Sequence, residues 1–161
     1  MKRIREKELR SDCPLNFAIE TMGDKWSLLI LRDMIFWGKK TYREFLKSDE
    51  KIATNVLAGR LEYLERQGFI TKSPHATDKR KEVYSLTKKG IELIPVLIEL
   101  MIWSARNDTW RSMKHTPTVR VLQRFVKGSV RKNKGKLIED VKKSARTGGS
   151  FFEDVQKSLN R

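Results

Sequence analysis

The chain holds one cysteine, Cys13, and two histidines, His75 and His115, in 161 residues. One thiol excludes an intramolecular disulfide, and so few scattered ligands do not make a zinc site, so no metal is expected. No paired carboxylates stand in a pocket-like context, no Ser, His and Asp follow in a triad order, and no glycine-rich loop could cradle a phosphate. Neither an enzyme nor a cofactor is therefore expected. Long apolar runs are missing as well. The longest, 93–103, is broken by Glu99 and spans about half of the ~20 residues that a bilayer crossing needs. Met1-Lys2-Arg3-Ile4-Arg5-Glu6-Lys7 has no apolar run behind its charges, which predicts a cytoplasmic protein with no membrane partner. Internal repeats and low-complexity tracts are absent.

Positive charge is abundant. Lys and Arg number 35 against 20 Asp and Glu, a formal net charge of +15, which favours a polyanionic partner such as nucleic acid or an anionic surface. The excess is uneven, with 14 basic and 5 acidic residues from Asn107 onward. A hydrophobic content of 39% is enough for one ordinary core.

Apolar spacing predicts a mostly α chain with a small β-hairpin. A charged arm, 1–12, leads to Cys13-Pro14, where proline suits the first position of a short helix. That helix carries Phe17, Ala18 and Met22 and ends at Gly23. Asp24 is placed to cap a second helix, in which Trp26, Leu29, Ile30, Met34 and Trp37 keep the helical period up to Gly38. Thr41-Tyr42-Arg43-Glu44 has the form of a capping box and opens a third helix that buries Tyr42, Phe45 and Leu46. After the polar loop 48–51, the stretch 51–69 puts Ala53, Leu57, Leu61 and Leu64 on one stripe, with Asn55, Gly59, Glu62 and Arg66 opposite. Gly68 closes it. Two strand-like segments, 69–73 and 82–86, then meet at the basic tip 74–81. Short helix, tight loop, amphipathic helix and hairpin in this order make a winged helix-turn-helix, whose exposed helix face enters the major groove of double-stranded DNA.

Thr87 can cap a long helix, 88–106, apolar on nearly all sides, in which Pro95 predicts a bend or a missing hydrogen bond near Ile91. Such a helix needs cover on more than one face. A second copy of the chain is the simplest cover, which places Ile94, Leu97, Ile98, Met101 and Ile102 in a homodimer interface. A further helical pattern runs over 116–143 with an interruption at Lys134-Gly135, Gly148-Gly149-Ser150 reads as a hinge, and 151–159 as a short terminal helix. The expected organisation is an arm, 1–12, a winged-helix domain with its dimerisation helix, 13–108, and a basic helical extension, 109–161.

Several of these segments resemble one family. Asp12-Cys13-Pro14, Gly23-Asp24-Lys25-Trp26-Ser27-Leu28-Leu29-Ile30-Leu31-Arg32, Tyr42-Arg43-Glu44-Phe45, 52–61, Tyr84-Ser85-Leu86-Thr87-Lys88-Lys89-Gly90 and Leu93-Ile94-Pro95-Val96-Leu97 are similar to the HxlR-type regulators, bacterial winged-helix transcription factors related to the MarR group. The resemblance implies a homodimer built from the N- and C-terminal helices, with a recognition helix of each subunit in a major groove and a wing along the minor groove. It also implies a promoter-binding repressor or activator, and in some members the cysteine matching Cys13 senses oxidants or electrophiles. Three features depart from the family pattern. Glu62 stands where a basic residue is usual and can pair with Arg66 one turn on. Gly59 stands where a polar residue is common, at a cost of ~1 kcal/mol against alanine in a helix interior. The basic extension is the third.

The candidate groove residues are Thr54, Asn55, Ala58, Gly59 and Arg60, because Asn can read adenine, Arg can read guanine and Ala can touch a thymine methyl. The alternative is a solvated face, with Arg60 turned toward phosphate or Glu44. His75, Lys79, Arg80 and Lys81 form the wing tip, and Arg43 flanks the recognition helix; the alternative is an ordinary charged hairpin. Lys7, Arg10 and the following helix start would acidify Cys13 while Asp12 opposes them, making it a candidate redox sensor; the alternative is an unreactive interface thiol. Trp26, Trp103 and Trp110 could line a pocket for a small-molecule effector, although tryptophan at helical spacing is more often core. The competing function is a non-specific nucleic-acid or ribosome-associated binder driven by the basic tail. Its recognition face would be filled with Lys and Arg, whereas this one is polar and neutral.

Overall fold

The computed structural model describes residues 10–107 and 130–159. Lys7, Trp110, His115 and the first half of the helical pattern expected over 116–143 lie outside them.

Helix α1 (Pro14–Met22) starts behind Cys13 and ends at Gly23, whose amide donates to the Ile19 carbonyl. Asp24 caps the next helix from a turn away: its carboxylate accepts from the amides of Trp26 and Ser27, at 2.9 and 3.0 Å, and from the Ser27 hydroxyl. Helix α2 (Ser27–Trp37) therefore begins at Ser27, with Trp26 just outside it. The capping box forms as expected at the head of α3 (Tyr42–Leu46), where Glu44 accepts from the amides of Thr41 and Lys40. Helix α4 (Thr54–Arg66) starts later than the apolar period suggests, because Ala53 is its extended N-cap and is exposed. The buried stripe is Leu57, Leu61 and Leu64, with Ile52 buried ahead of the helix. Each of those leucines leaves water almost completely, a contribution of about 1.5–3 kcal/mol apiece.

Strands β1 (Ile70–Pro74) and β2 (Glu82–Leu86) pair antiparallel, with Ile70 opposite Leu86 and Pro74 opposite Glu82. A one-residue bridge joins Val83 to Thr41, and the Tyr84 amide donates to the Lys40 carbonyl at 2.7 Å. The base of the hairpin is thereby held to the segment that leads into α3. The architecture is a winged helix-turn-helix, mostly helical with one small hairpin.

The expected long helix after the wing is two helices, α5 (Lys88–Ile91) and α6 (Ile94–Asn107), broken at Glu92-Leu93. Pro95 stands in the first turn of α6, where its missing donor costs no helical bond. The cover for α6 also differs from expectation. Ile94, Leu97, Ile98 and Ile102 are buried within the single chain, and Met101 is half-buried against the same core. Ile94, Leu97, Ile98 and Ile102 are thus covered inside the chain rather than awaiting cover from a second copy. Part of their cover is helix α7 (Val130–Thr147), which packs on α2 and α6 through Leu137, Ile138, Val141 and Ala145. Its interruption falls at Asn133, with φ −150° and ψ 46°, rather than at Lys134-Gly135.

Gly148-Gly149-Ser150 is a docking turn rather than a hinge. A Cβ at Gly38 would come within 2.6 Å of the Gly149 carbonyl oxygen, so the two backbones touch where α2 ends in the left-handed region, φ +64°. Ser150 donates to the Phe36 carbonyl and accepts from the Glu153 amide, starting helix α8 (Phe151–Leu159). Phe152 stacks on Phe36 at 5.3 Å and meets Trp37 edge-on at 5.0 Å, which places the extension's last helix in the common core.

Candidate nucleic-acid interface

The residues expected to face DNA are built outward from a buried carboxylate. Asp33 of α2 is 2% exposed. Its Oδ1 accepts from Arg32 Nη2 at 2.6 Å, and its Oδ2 accepts from Lys39 Nζ at 2.7 Å and from the Ser48 hydroxyl. Arg32 also donates to both oxygens of Glu50, at 2.5 and 2.9 Å, and this pairing holds the Glu50 carboxyl below its ordinary range. The loop between α3 and α4 is thus tied at Ser48 and Glu50 to the middle of α2. A charge this buried persists only with its partners in place, so the network fixes the angle at which α4 leaves the loop. From the other side, Tyr42 donates its hydroxyl to the Thr54 carbonyl at 2.7 Å, holding α3 to the first turn of α4.

Held in this way, α4 turns Thr54, Asn55, Ala58 and Gly59 to solvent. Nothing lies within 4 Å of a Cβ placed on Gly59, so that glycine is not demanded by packing inside the chain. Arg60 stands apart from them. It is half-buried, pairs with Asp24 at 3.3 Å and lies over the Tyr63 ring, so its guanidinium is engaged within the chain, and by Asp24 rather than Glu44. Burial pushes the Asp24 carboxyl up, but the Ser27 hydroxyl and amide, the Trp26 amide and Arg60 together bring it below its usual value. Glu62 is exposed and reaches Arg66 at 4.0 Å, the pairing its spacing suggested.

At the wing tip the cations are not equivalent. Asp78 pairs with Arg80 at 3.3 Å and Lys81 at 3.2 Å, and these contacts, Lys81 foremost, hold its carboxyl below the usual range. Lys79 is exposed and in no ion pair among the described residues. His75 is half-buried, with its amide donating to the Lys81 carbonyl and its Nδ1 accepting from the Thr77 amide. That makes it a brace for the loop more than a projecting contact. Arg43 is exposed on α3.

Sequence reasoning passed over Lys51. It is the one non-glycine residue with positive φ among the described residues, at +51°, and its side chain is exposed immediately ahead of α4. A left-handed lysine costs about 1–2 kcal/mol, and it puts a cation beside a helix N-terminus, where anions already bind well. No local signal announces a left-handed lysine.

Cys13 is exposed at the N-cap of α1. The Asn16 amide first, and the Leu15 amide with it, hold its thiol below the ordinary value. Arg10, expected to help, is instead paired with Glu20 at 2.8 Å. Among the described residues no cluster of His, Cys, Asp and Glu could hold a metal ion, and no helix is long and apolar enough to cross a membrane.

Comparison with known proteins agrees with this geometry. Residues 21–112 match the model of the HxlR-like helix-turn-helix family. The HTH-type transcriptional regulator YdeP of Bacillus subtilis (strain 168) is 34% identical over 94 residues, 58% of this chain and 73% of YdeP. The solved structure of the redox regulator HypR in its oxidized form is 30% identical, covers 60% of this chain and 99% of HypR, and superposes with a TM-score of 0.54. The reduced form of the transcriptional regulator YodB from B. subtilis is 25% identical, with a TM-score of 0.50 over 61% of this chain and 96% of YodB. A buried anchor under the turn, a recognition helix with a free polar face and a wing stitched beside it, matched over more than half the chain, make this protein a member of the HxlR-like helix-turn-helix family of transcriptional regulators.

Proposed function

We propose that the protein is a homodimeric, sequence-specific regulator that places α4 in the major groove and the tip 74–81 along the minor groove. The observation that carries this reading is the free face Thr54, Asn55, Ala58 and Gly59 on a helix whose exit angle is fixed by Asp33. Lys79, Lys51 and Arg43 serve phosphates, and Arg60 orients α4 through Asp24. A regulator of bacterial promoters works in the cytoplasm. The rival, a tail-driven non-specific binder, is disfavoured by the tail itself: Lys134 pairs with Glu99, Lys136 with Asp140 and Lys142 with Glu139. Three of the tail's lysines are thereby already met inside the chain.

The test starts from an operator selected out of random duplexes. Asn55→Ala should cost ~1–3 kcal/mol on that operator and little on random DNA, whereas Lys79→Ala should weaken both alike and flatten the salt dependence by about one counterion. Equal losses for Asn55→Ala on both duplexes would mean that α4 does not read bases.

The homodimer is proposed through a different set of residues from those first expected. Leu15, Phe17 and Ile19 on α1 and Val96, Leu100 and Trp103 on α6 are large apolar side chains left exposed, Trp103 by 63%. Apolar surface of this extent marks an association site. Wild type should sediment as a dimer at micromolar concentration and Leu100→Glu as a folded monomer. A monomeric wild type would overturn the interface.

Redox responsiveness is proposed at Cys13, whose thiolate accepts from helix N-terminal amides. Peroxide would convert it to a sulfenic acid with loss of water, and a thiol, Cys13 of the second copy or a small one, would then condense with it to a disulfide, releasing a second water. Operator binding by wild type should fall under mild oxidation while Cys13→Ser holds DNA. Loss at the same peroxide dose in both would make the cysteine structural.

A further inference from the structure

A cleft of about 250 Å³ opens between β2, the segment ahead of α3 and the C-terminal end of α7. Its two walls come from the wing base and from the basic extension, and the second lies beyond the residues that the family model matches. Met34, Leu86 and Ile91 give it an apolar lining, while Lys40 and Arg146 bring cations to it. No Asp or Glu lines it. The Lys40 ammonium lies against Gly148, close enough that a Cβ there would fall 2.4 Å from Nζ. It sits just past the carbonyl end of α7, where the helix dipole favours a positive charge. Neither Lys40 nor Arg146 is in a salt bridge among the described residues. Glu44, near enough to be acidified by Lys40, has its carboxylate committed to the amides of Lys40 and Thr41.

We propose that this cleft is a binding site for a small organic acid, its carboxylate between Lys40 and Arg146 and its apolar body on Met34, Leu86 and Ile91. Two cations are brought to one cleft with no carboxylate in its lining, and an anion there would meet both of them. The apolar half of the lining adds a reason for the anion to carry a hydrocarbon body rather than be an inorganic ion. The volume is below the ~300–1,000 Å³ typical of drug-sized sites, which limits the ligand to a compact molecule. Binding needs no DNA; the consequence that an occupant would wedge the wing base from α7 and so alter DNA affinity rests on the proposed function.

The experiment is calorimetric titration of the full chain, free of DNA, with 3-phenylpropionate and its neutral isostere 3-phenylpropionamide. Wild type should bind the acid saturably and at least tenfold more tightly than the amide. Arg146→Gln, an exposed position, should bring the acid down to the level of the amide. Ser85→Trp, which fills the cleft from an exposed strand position, should remove binding of both while leaving the melting temperature near that of wild type. Equal affinity for acid and amide in wild type, no saturable binding of the acid at millimolar concentration, or an acid affinity unchanged in both variants would each overturn the site. With DNA absent from the readout, loss of this site leaves the DNA-binding reading intact, and the reverse also holds.

Discussion

Asp33→Ala is expected to destabilise the protein by about 3–5 kcal/mol, the range found when one partner of a buried ion pair is removed. The carboxylate is 2% exposed and answers Arg32, Lys39 and Ser48 together. Without it, the part-buried Arg32 keeps its pairing with Glu50, and Lys39 keeps its bond to the Ser48 hydroxyl but loses its carboxylate. Asp33→Asn, which keeps the shape and one acceptor but loses the charge, should fall between wild type and Asp33→Ala. Urea unfolding followed by circular dichroism reads both. A loss below about 1 kcal/mol for Asp33→Ala would mean that the network is not what holds the turn.

Phe152→Ala is expected to cost about 3–5 kcal/mol of global stability, the usual range for emptying a buried phenylalanine position. Phe152 is 3% exposed, stacks on Phe36 and touches Trp37, and such aromatic pairs add about 0.5–1.5 kcal/mol beyond burial. Since Phe36 belongs to the same core as Leu31 and Ile35 of α2, the loss should lower the midpoint of one cooperative transition. Were the extension only an appendage, Phe152→Ala would leave that transition in place and merely speed proteolysis near 148–150.

The legible parts of the sequence were those whose signals are local. Proline behind Cys13, the Thr41 to Glu44 box, the four-residue spacing of Leu57 and Leu61, and Gly68 in the left-handed region each declare themselves within one or two turns, and each stands where its neighbours predicted. The start of α4 was less legible, since Ala53 continues the apolar period although the chain there is still extended. Partners distant in sequence were not legible. Nothing near Asp33 says that a serine fifteen residues on will donate to it, and nothing in Thr41 announces Val83. The cover of α6 was misplaced for a related reason. An all-round apolar helix demands cover, but periodicity does not say whether that cover comes from another copy or from 130–147 of the same chain. In the candidate site, the free face of α4 follows from its period. The engagement of Arg60 by Asp24 and of Arg80 and Lys81 by Asp78 does not, because a charge near a basic cluster can project or pair with equal ease.

The bridge from Val83 to Thr41 and the bond from the Tyr84 amide to the Lys40 carbonyl bear on the entropy of recognition. A wing hung from a loose hairpin would have to be ordered each time it met a duplex, at about 0.5–1.5 kcal/mol for each side chain immobilised and more for backbone. Here the base of the hairpin and the entry to α3 lose that freedom when the chain folds. In the proposed DNA-binding mode, helix and wing would therefore arrive at the duplex as one rigid caliper with a set gap. A caliper measures: sites whose groove widths match the gap would be gripped without rearrangement, and sites that must be bent to fit would bear the deformation in the DNA, where stiffness depends on sequence at positions no side chain touches.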